Sequence, residues 1–318
     1  MRKFRKVLYV CLALLVPFML CSCGKKDVAQ IELPNEISLT ADKSQPLLKV
    51  YDVETKSIKE MEMEDYLVGV VAGEIHNDWP IEAIKAQAIL ARSYTLFYLK
   101  NYKSKYAGAD ISNDVTEAQA YNLANVNETI KKAVADTKGI VVTNNDEPIE
   151  TWFHSNSGGK TTTARYGLNY LGEENYTKIT TSPENATNSQ NYEWNYTFKK
   201  SEILSALREM GVSVTSINSF VIGEKDESGR AMTFKVGGAE ISANTFRIKI
   251  GSTKLKSTLI NNIVVSSNTI YFAGRGYGHG VGLSQWGAKV LAEEGKTAEQ
   301  IINYYFDNVS IQSCSVNA

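Results

Sequence analysis

Five glycines at alternate positions, Gly274, Gly276, Gly278, Gly280 and Gly282, run directly into Leu283-Ser284-Gln285-Trp286-Gly287-Ala288. In an extended strand, side chains alternate between faces with period two. All five glycines then point one way, and Arg275, Tyr277, His279 and Val281 the other. One face is bare backbone against which a broad ligand can lie; the opposite face carries a cation, a phenol and an imidazole. Alternating glycine also marks bends and close backbone approaches, and both readings stand. The spacing excludes a dinucleotide loop, because the sixth position of G-x-G-x-x-G falls on His279, Val281 or Leu283. Gly-Lys-Thr at Gly159 and Gly295 does not make a phosphate loop either, since His154 and Val290 stand where the earlier glycine belongs.

Two further clusters carry chemistry. His154-Ser155-Asn156-Ser157-Gly158-Gly159-Lys160-Thr161 is a tight, donor-rich loop, suited to hydrogen-bonding a sugar and equally to an ordinary turn. Gly73-Glu74-Ile75-His76-Asn77-Asp78-Trp79-Pro80 leads into a helix carrying Lys85 and Arg92 seven residues apart on one face. Glu74 lies in an apolar context, where desolvation raises a carboxyl pKa and keeps it protonated, as a general acid requires. The plainer alternative is a glutamate interacting with the helix N-terminus and two solvated cations. The chain has three histidines, His76, His154 and His279, one per cluster. No two have helical ligand spacing, so no metal and no other cofactor is expected.

The chain opens with Arg2, Lys3, Arg5 and Lys6, followed by an apolar run over 7–20 that is short for a membrane span. It reads as an export signal over 1–22. Removing those residues takes four bases and no acids, so the formal charge moves from −1 to −5. Such a balance gives no support to a nucleic-acid partner. Residues 23–45 read as a polar tether. Cys23 and Cys314 then remain, too few for a disulfide framework or a cysteine-rich metal site.

The rest reads as an α+β domain over 46–310, with 311–318 as a C-terminal tail. Strands are expected at 48–53 and 58–61, then a short helix or turn over 62–71. The longest helix runs to about residue 100, capped by Asp78 or a neighbour, with Pro80 in its first turn. Further helices are expected at 128–138, 201–210, 284–295 and 298–306. Hairpins are expected at 140–144 with 149–154 and at 217–223 with 231–236, and strands at 246–250 and 263–272. Residues 172–195 read as a long polar loop, and 196–257 as an inserted subdomain.

Taken together, Asp65-Tyr66-Leu67-Val68-Gly69-Val70-Val71 with Glu74, the run Trp79 to Ala88 with Ala91-Arg92, the His154–Gly159 loop, and Gly276 through Ala288 resemble the SpoIID/LytB family. Leu20-Cys21-Ser22-Cys23 resembles a lipobox. The family resemblance implies a peptidoglycan lytic transglycosylase that cleaves between N-acetylmuramic acid and N-acetylglucosamine to leave a 1,6-anhydro end. Glu74 matches the catalytic glutamate. Lys85, Arg92, His154, Ser155, Ser157, Gly158, Tyr277, His279, Ser284 and Gln285 are the implied glycan-binding residues, and a cell-wall amidase the implied partner. The lipobox implies acylation of Cys23 and anchoring on the extracytoplasmic face of the membrane. The zinc ligands carried by sporulation members are missing, because 110–121 contains neither Cys nor His. Gly73-Glu74-Ile75 also departs from the commoner Ala-Glu-Met. Two other functions fit the same residues: a non-catalytic glycan-binding enhancer of an amidase, and a hydrolase using Asp65 or Asp78 as second carboxylate.

Overall fold

The computed structural model describes residues 28–42 and 44–317, so the export signal and Cys23 lie outside the described residues. The fold is mixed α+β, with two hydrophobic clusters rather than one. The larger is organised around α2 (Ile81–Asn101), in which Ala83, Ala86, Ala88 and Ala91 are all fully buried. A helix enclosed on most sides needs small residues wherever another element approaches closely. Against it pack α1 (Met63–Glu74), α3 (Glu128–Asp136), the strand Ile140–Asn144 and the helices Gln285–Glu293 and Ala298–Tyr305. Asp78 is exposed and does not cap α2; Pro80 occupies that position without a side-chain bond. Glu82 instead reaches the next layer, accepting from the Ala298 N–H at 2.8 Å.

Both chain ends differ from expectation. Part of the expected tether folds as the strands Ala29–Glu32 and Ser38–Leu39, with Ile31 fully buried. The expected tail is the strand Ser310–Asn317, which runs parallel to Ala29–Glu32 and antiparallel to Ile140–Asn144. The pairing of Ala29–Glu32 with Ser310–Asn317 joins residues about as far apart in sequence as this chain allows, so neither strand has that partner nearby to mark it. Elsewhere Pro46–Asp52 pairs with Ser57–Glu62 as expected, and also with Ile111–Ser112.

The second cluster spans 193–275, wider than the expected 196–257. Its sheets are Ile260–Val265, Thr269–Arg275 and Glu193–Lys199, and Phe220–Ile222, Thr233–Val236 and Ala239–Ser242. The helices Lys200–Glu209 and Ala243–Ile250 pack on them around Phe198, Phe220, Phe234, Phe246 and Phe272. Residues 246–250 are therefore helix, not strand. The alternation Phe-Arg-Ile-Lys-Ile imitates a strand, but Ser242 caps the segment through the Thr245 N–H, and Phe246 and Ile250 bury one face at i, i+4 spacing.

The hairpin after α3 is only half as expected. Asn145 and Asp146 both take positive φ, making a tight two-residue turn. Only Glu147–Pro148 returns along Ile140–Asn144. Phe153–His154 leaves to pair in parallel with Leu283–Ser284, bringing the His154 loop and the glycine run together.

Candidate active site

Glu74 is the last residue of α1. Gly69 and Gly73, one turn apart on that helix, let the segment 119–122 lie directly on it. A Cβ at Gly73 would come within 2.7 Å of the Tyr121 backbone nitrogen, and one at Gly69 within 2.2 Å of the Tyr121 ring. The close approach accounts for glycine in place of alanine before Glu74. It also places the Ala120 N–H 2.6 Å from a Glu74 carboxylate oxygen. The segment lacking Cys and His thus supplies a backbone donor to the carboxyl group. Burial raises the pKa of Glu74 above its ordinary value, and the Ala120 bond opposes the shift without cancelling it.

Beside Glu74 stands an aromatic wall. His76 stacks on Trp79 at 4.8 Å between ring centroids, and Trp79 meets Trp286 edge-on at 4.7 Å. Gln285 donates to the Glu74 backbone carbonyl at 2.9 Å and to Gln87 Oε1 at 3.2 Å. It therefore holds the backbone of Glu74 rather than facing open solvent. The glycine run and Glu74 lie 200 residues apart in sequence and meet through this bond.

The glycine run is not a flat strand. Only Gly274 lies within Thr269–Arg275; Gly276, Gly278, Gly280 and Gly282 take φ of 81°, 123°, 84° and 68°. A continuous bare face does not form, and the glycines serve close approaches. Tyr277 and Asn156 exchange backbone hydrogen bonds at 2.7 and 3.0 Å. A Cβ on Gly278 would lie 2.6 Å from His154 Cβ, and one on Gly280 2.5 Å from the Arg230 guanidinium. Gly282 is tightest, with 2.0 Å to the Trp152 carbonyl. Gly282→Ala should lower unfolding free energy by about 3 kcal/mol, combining left-handed backbone strain with overpacking. Gly238→Ala, at φ 86° with open space around it, carries the strain alone and should lose about 1 kcal/mol. Equal urea midpoints for the two variants would contradict the close-approach role.

Behind both loops lies Glu184, buried in the segment 172–195. It accepts from the Ser157 N–H at 2.8 Å, Ser157 Oγ at 2.5 Å and Ser284 Oγ at 2.7 Å, and from Ser182 Oγ. Ser157 and Ser284 are thereby committed to this buried carboxylate. No pattern in a polar loop marks one glutamate as such a hub; only the two buried serines awaiting an acceptor hint at it. Gly158 at φ 71° lies against the Arg275–Gly276 backbone, and half-buried Ser155 receives the Trp286 N–H on its carbonyl at 3.0 Å. His154 and His279 lie 5.5 Å apart and bracket Val281: His154 Nδ1 donates to its carbonyl at 3.0 Å, and its N–H donates to His279 Nδ1 at 3.1 Å. Burial and neighbouring positive charge keep both imidazoles neutral, with His279 pushed down to about 3.

The two expected glycan-binding cations of α2, Lys85 and Arg92, lie elsewhere. Arg92 is fully buried and paired with Glu64. Lys85 is partly exposed, between Glu82 at 3.2 Å and Asp136 at 3.1 Å. Neither is brought to Glu74 by a direct bond. Asp65 is exposed on α1, nine residues before Glu74, or roughly 13 Å along the axis.

Residues 51–144 match the SpoIID family, described as Stage II sporulation protein, and residues 159–282 match a domain of unknown function, DUF8618. The first match contains Glu74 and α2; the second contains all five glycines of the run and the whole second cluster. An uncharacterized protein of Brachyspira hyodysenteriae is 31% identical over 259 residues, covering 80% of this chain and 67% of its own. Stage II sporulation protein D of Bacillus subtilis is 29% identical over 279 residues, covering 83% and 78%. The amidase enhancer of Bacillus subtilis is 26% identical over 293 residues, 78% of this chain but 40% of that protein.

Proposed function

Because this chain belongs to the SpoIID family, we propose that it acts on the glycan strands of peptidoglycan as a lytic transglycosylase, with Glu74 as the single acid and base. The observation that carries this reading is one carboxyl group with a raised pKa, held by a backbone N–H, two residues before an exposed His76 that stacks on Trp79. Protonated Glu74 gives its proton to the glycosidic oxygen as the bond to the muramyl anomeric carbon breaks. The muramyl 6-hydroxyl then attacks that carbon, and the Glu74 carboxylate takes the hydroxyl proton. No water is consumed. Tethering the nucleophile to the substrate replaces the second carboxylate a hydrolase needs. Asp65 fits that second role poorly, because the hydrolase separations end near about 9.5 Å. Glycan strands incubated with the protein should yield 1,6-anhydro-muramyl ends by mass spectrometry; reducing ends instead would point to a hydrolase.

The amidase-enhancer relative supports a second reading, a non-catalytic module that binds glycan and stimulates a cell-wall amidase. It requires binding and stimulation with no anhydro product. Under either reading, a lipid on Cys23 holds the protein at the extracytoplasmic membrane face beside its substrate, with an amidase as functional partner. Metabolic labelling with a fatty-acid probe, lost in Cys23→Ala, tests the anchor.

The raised pKa also has a stability consequence. A carboxyl with a raised folded-state pKa contributes stability fully present below its ordinary 4.5, and that contribution is lost as pH rises through the raised value. The Glu74→Gln variant should lack this loss, so its stability relative to wild type should improve from mildly acidic to neutral pH. A difference that stays flat with pH in urea titrations contradicts the shift.

A further inference from the structure

Arg247 is a buried cation that the fold leaves without an anion. It lies on the helix Ala243–Ile250, 8% exposed, and its Nε donates to the Lys256 carbonyl at 3.1 Å. Among the described residues it has no carboxylate within ion-pair distance. Its two Nη atoms make no hydrogen bond there, yet neither is among the sealed, unpaired atoms. Other buried arginines are treated differently. Arg92 has Glu64, and Arg230 has two carbonyls at 2.7 Å with Asp226 and Glu184 nearby. Burial pulls Arg247 down to about 10, and the Tyr277 phenol is the neighbour that favours its charge.

An arginine does not escape burial by losing its proton. An unpaired buried charge is strongly unfavourable, so an anion from outside would relieve it. The surroundings reinforce this. Lys256 Nζ lies 5.3 Å over the Tyr277 ring, anchored by Asn191 Oδ1 at 2.6 Å. Arg247 thus flanks Tyr277 together with a second cation. Three buried atoms of the same seam, His154 Nε2, Arg230 Nε and Arg275 Nε, have no partner. Positive charge from Arg247 reaches both histidines. Tyr277 pairs with Asn156, and His154 with Ser284 next to Gln285, so the seam continues to the backbone of Glu74.

We propose that Arg247, Lys256 and Tyr277 form a binding site for a carboxylate carried on the muramyl residue of the glycan. The site rests on peptidoglycan glycan being the ligand. A guanidinium with both terminal nitrogens free accepts a carboxylate as a two-point partner. The carboxylate comes either from the free lactyl group of a muramyl residue without a stem peptide or from the stem peptide itself.

The test is calorimetric titration of wild type, Arg247→Gln and Lys256→Gln with three strands: free lactyl, lactyl converted to the methylamide, and peptide-bearing. Arg247→Gln should weaken binding to carboxylate-bearing strands about tenfold, the scale of charged hydrogen bonds, and leave the methylamide strand unchanged. A loss confined to free-lactyl strands assigns the lactyl group; one confined to peptide-bearing strands assigns the peptide. Lys256→Gln, at a half-buried surface position, should give a smaller loss of the same pattern and serves if Arg247→Gln fails to fold. Equal effects on all three strands, or none, overturn the site. The titrations are repeated in the Glu74→Gln background, where chemistry is removed. Carboxylate-selective binding in both backgrounds, with no anhydro product from wild type, sinks the transglycosylase reading alone. Strands that do not bind wild type sink both.

Discussion

Glu74→Gln should leave a folded protein that releases no detectable 1,6-anhydro-muramyl product from glycan strands, a loss of about a thousandfold or more. General acid–base catalysis by one positioned group is worth roughly 10² to 10⁴ in rate, and here one group serves both proton transfers, so no second carboxylate shares the loss. The amide is nearly isosteric with the acid. Its oxygen can still accept from the Ala120 N–H, which meets Glu74 at 2.6 Å. Gln285 bonds the backbone carbonyl of residue 74, not its side chain, and is unaffected. The variant should therefore keep its fold and its glycan affinity while losing chemistry. Glu74→Asp withdraws the carboxyl by one methylene and should also be severely impaired, since proton transfer needs hydrogen-bond reach. Anhydro product made by Glu74→Gln at a rate near wild type would remove Glu74 from the mechanism. If wild type makes none and both proteins stimulate an amidase equally, the enhancer reading stands instead.

Legibility in the sequence followed the range of the interactions. The strand pair 46–62, the helices around α2 and the hairpin at 220–236 are local, and alternation or helical spacing shows them. The desolvation of Glu74 was legible because a carboxylate in apolar company before a long helix is a local anomaly. The glycine run was legible as a feature but not in conformation. Alternation fits a strand, whereas four of its five glycines take positive φ to admit Asn156, His154, Arg230 and the Trp152 carbonyl. Those partners lie far away in sequence, three of them before residue 157 and one at 230. Glu184 was invisible for the same reason: two of its three serine donors, Ser157 and Ser284, lie 27 and 100 residues away. The strands Ala29–Glu32 and Ser310–Asn317 were hidden because each pairs with partners remote in sequence.

Arg92 is the sharpest divergence between pattern and structure, and it carries the second large effect. Seven residues from Lys85, it reads as part of a solvated basic face, yet its side chain is fully enclosed. Its Nε and Nη2 meet the two Glu64 oxygens at 2.8 and 2.7 Å, a two-point pair between α1 and α2. Nη1 reaches the Ile140 carbonyl at 3.1 Å and Nη2 the Val134 carbonyl at 3.3 Å, near the C-terminus of α3, where a cation is favoured. One side chain thus ties α1, α2, α3 and the strand Ile140–Asn144 together. Arg92→Met should leave the Glu64 carboxylate and those carbonyls unpaired and lower stability by about 3–5 kcal/mol, the usual loss on breaking a buried pair. Folded domains hold only about 5–15 kcal/mol, so much of the protein should be aggregated or unfolded at 37 °C. Adding Glu64→Met should recover part of that loss, because removing both charges is far milder than stranding one. Urea unfolding of the two single variants and the double variant measures the coupling. The same series separates structure from substrate binding. An Arg92→Lys protein that melts like wild type but no longer binds glycan would return Arg92 to the groove, whereas parallel loss of melting temperature and activity, rescued together in the double variant, fixes it as a strut of the larger core.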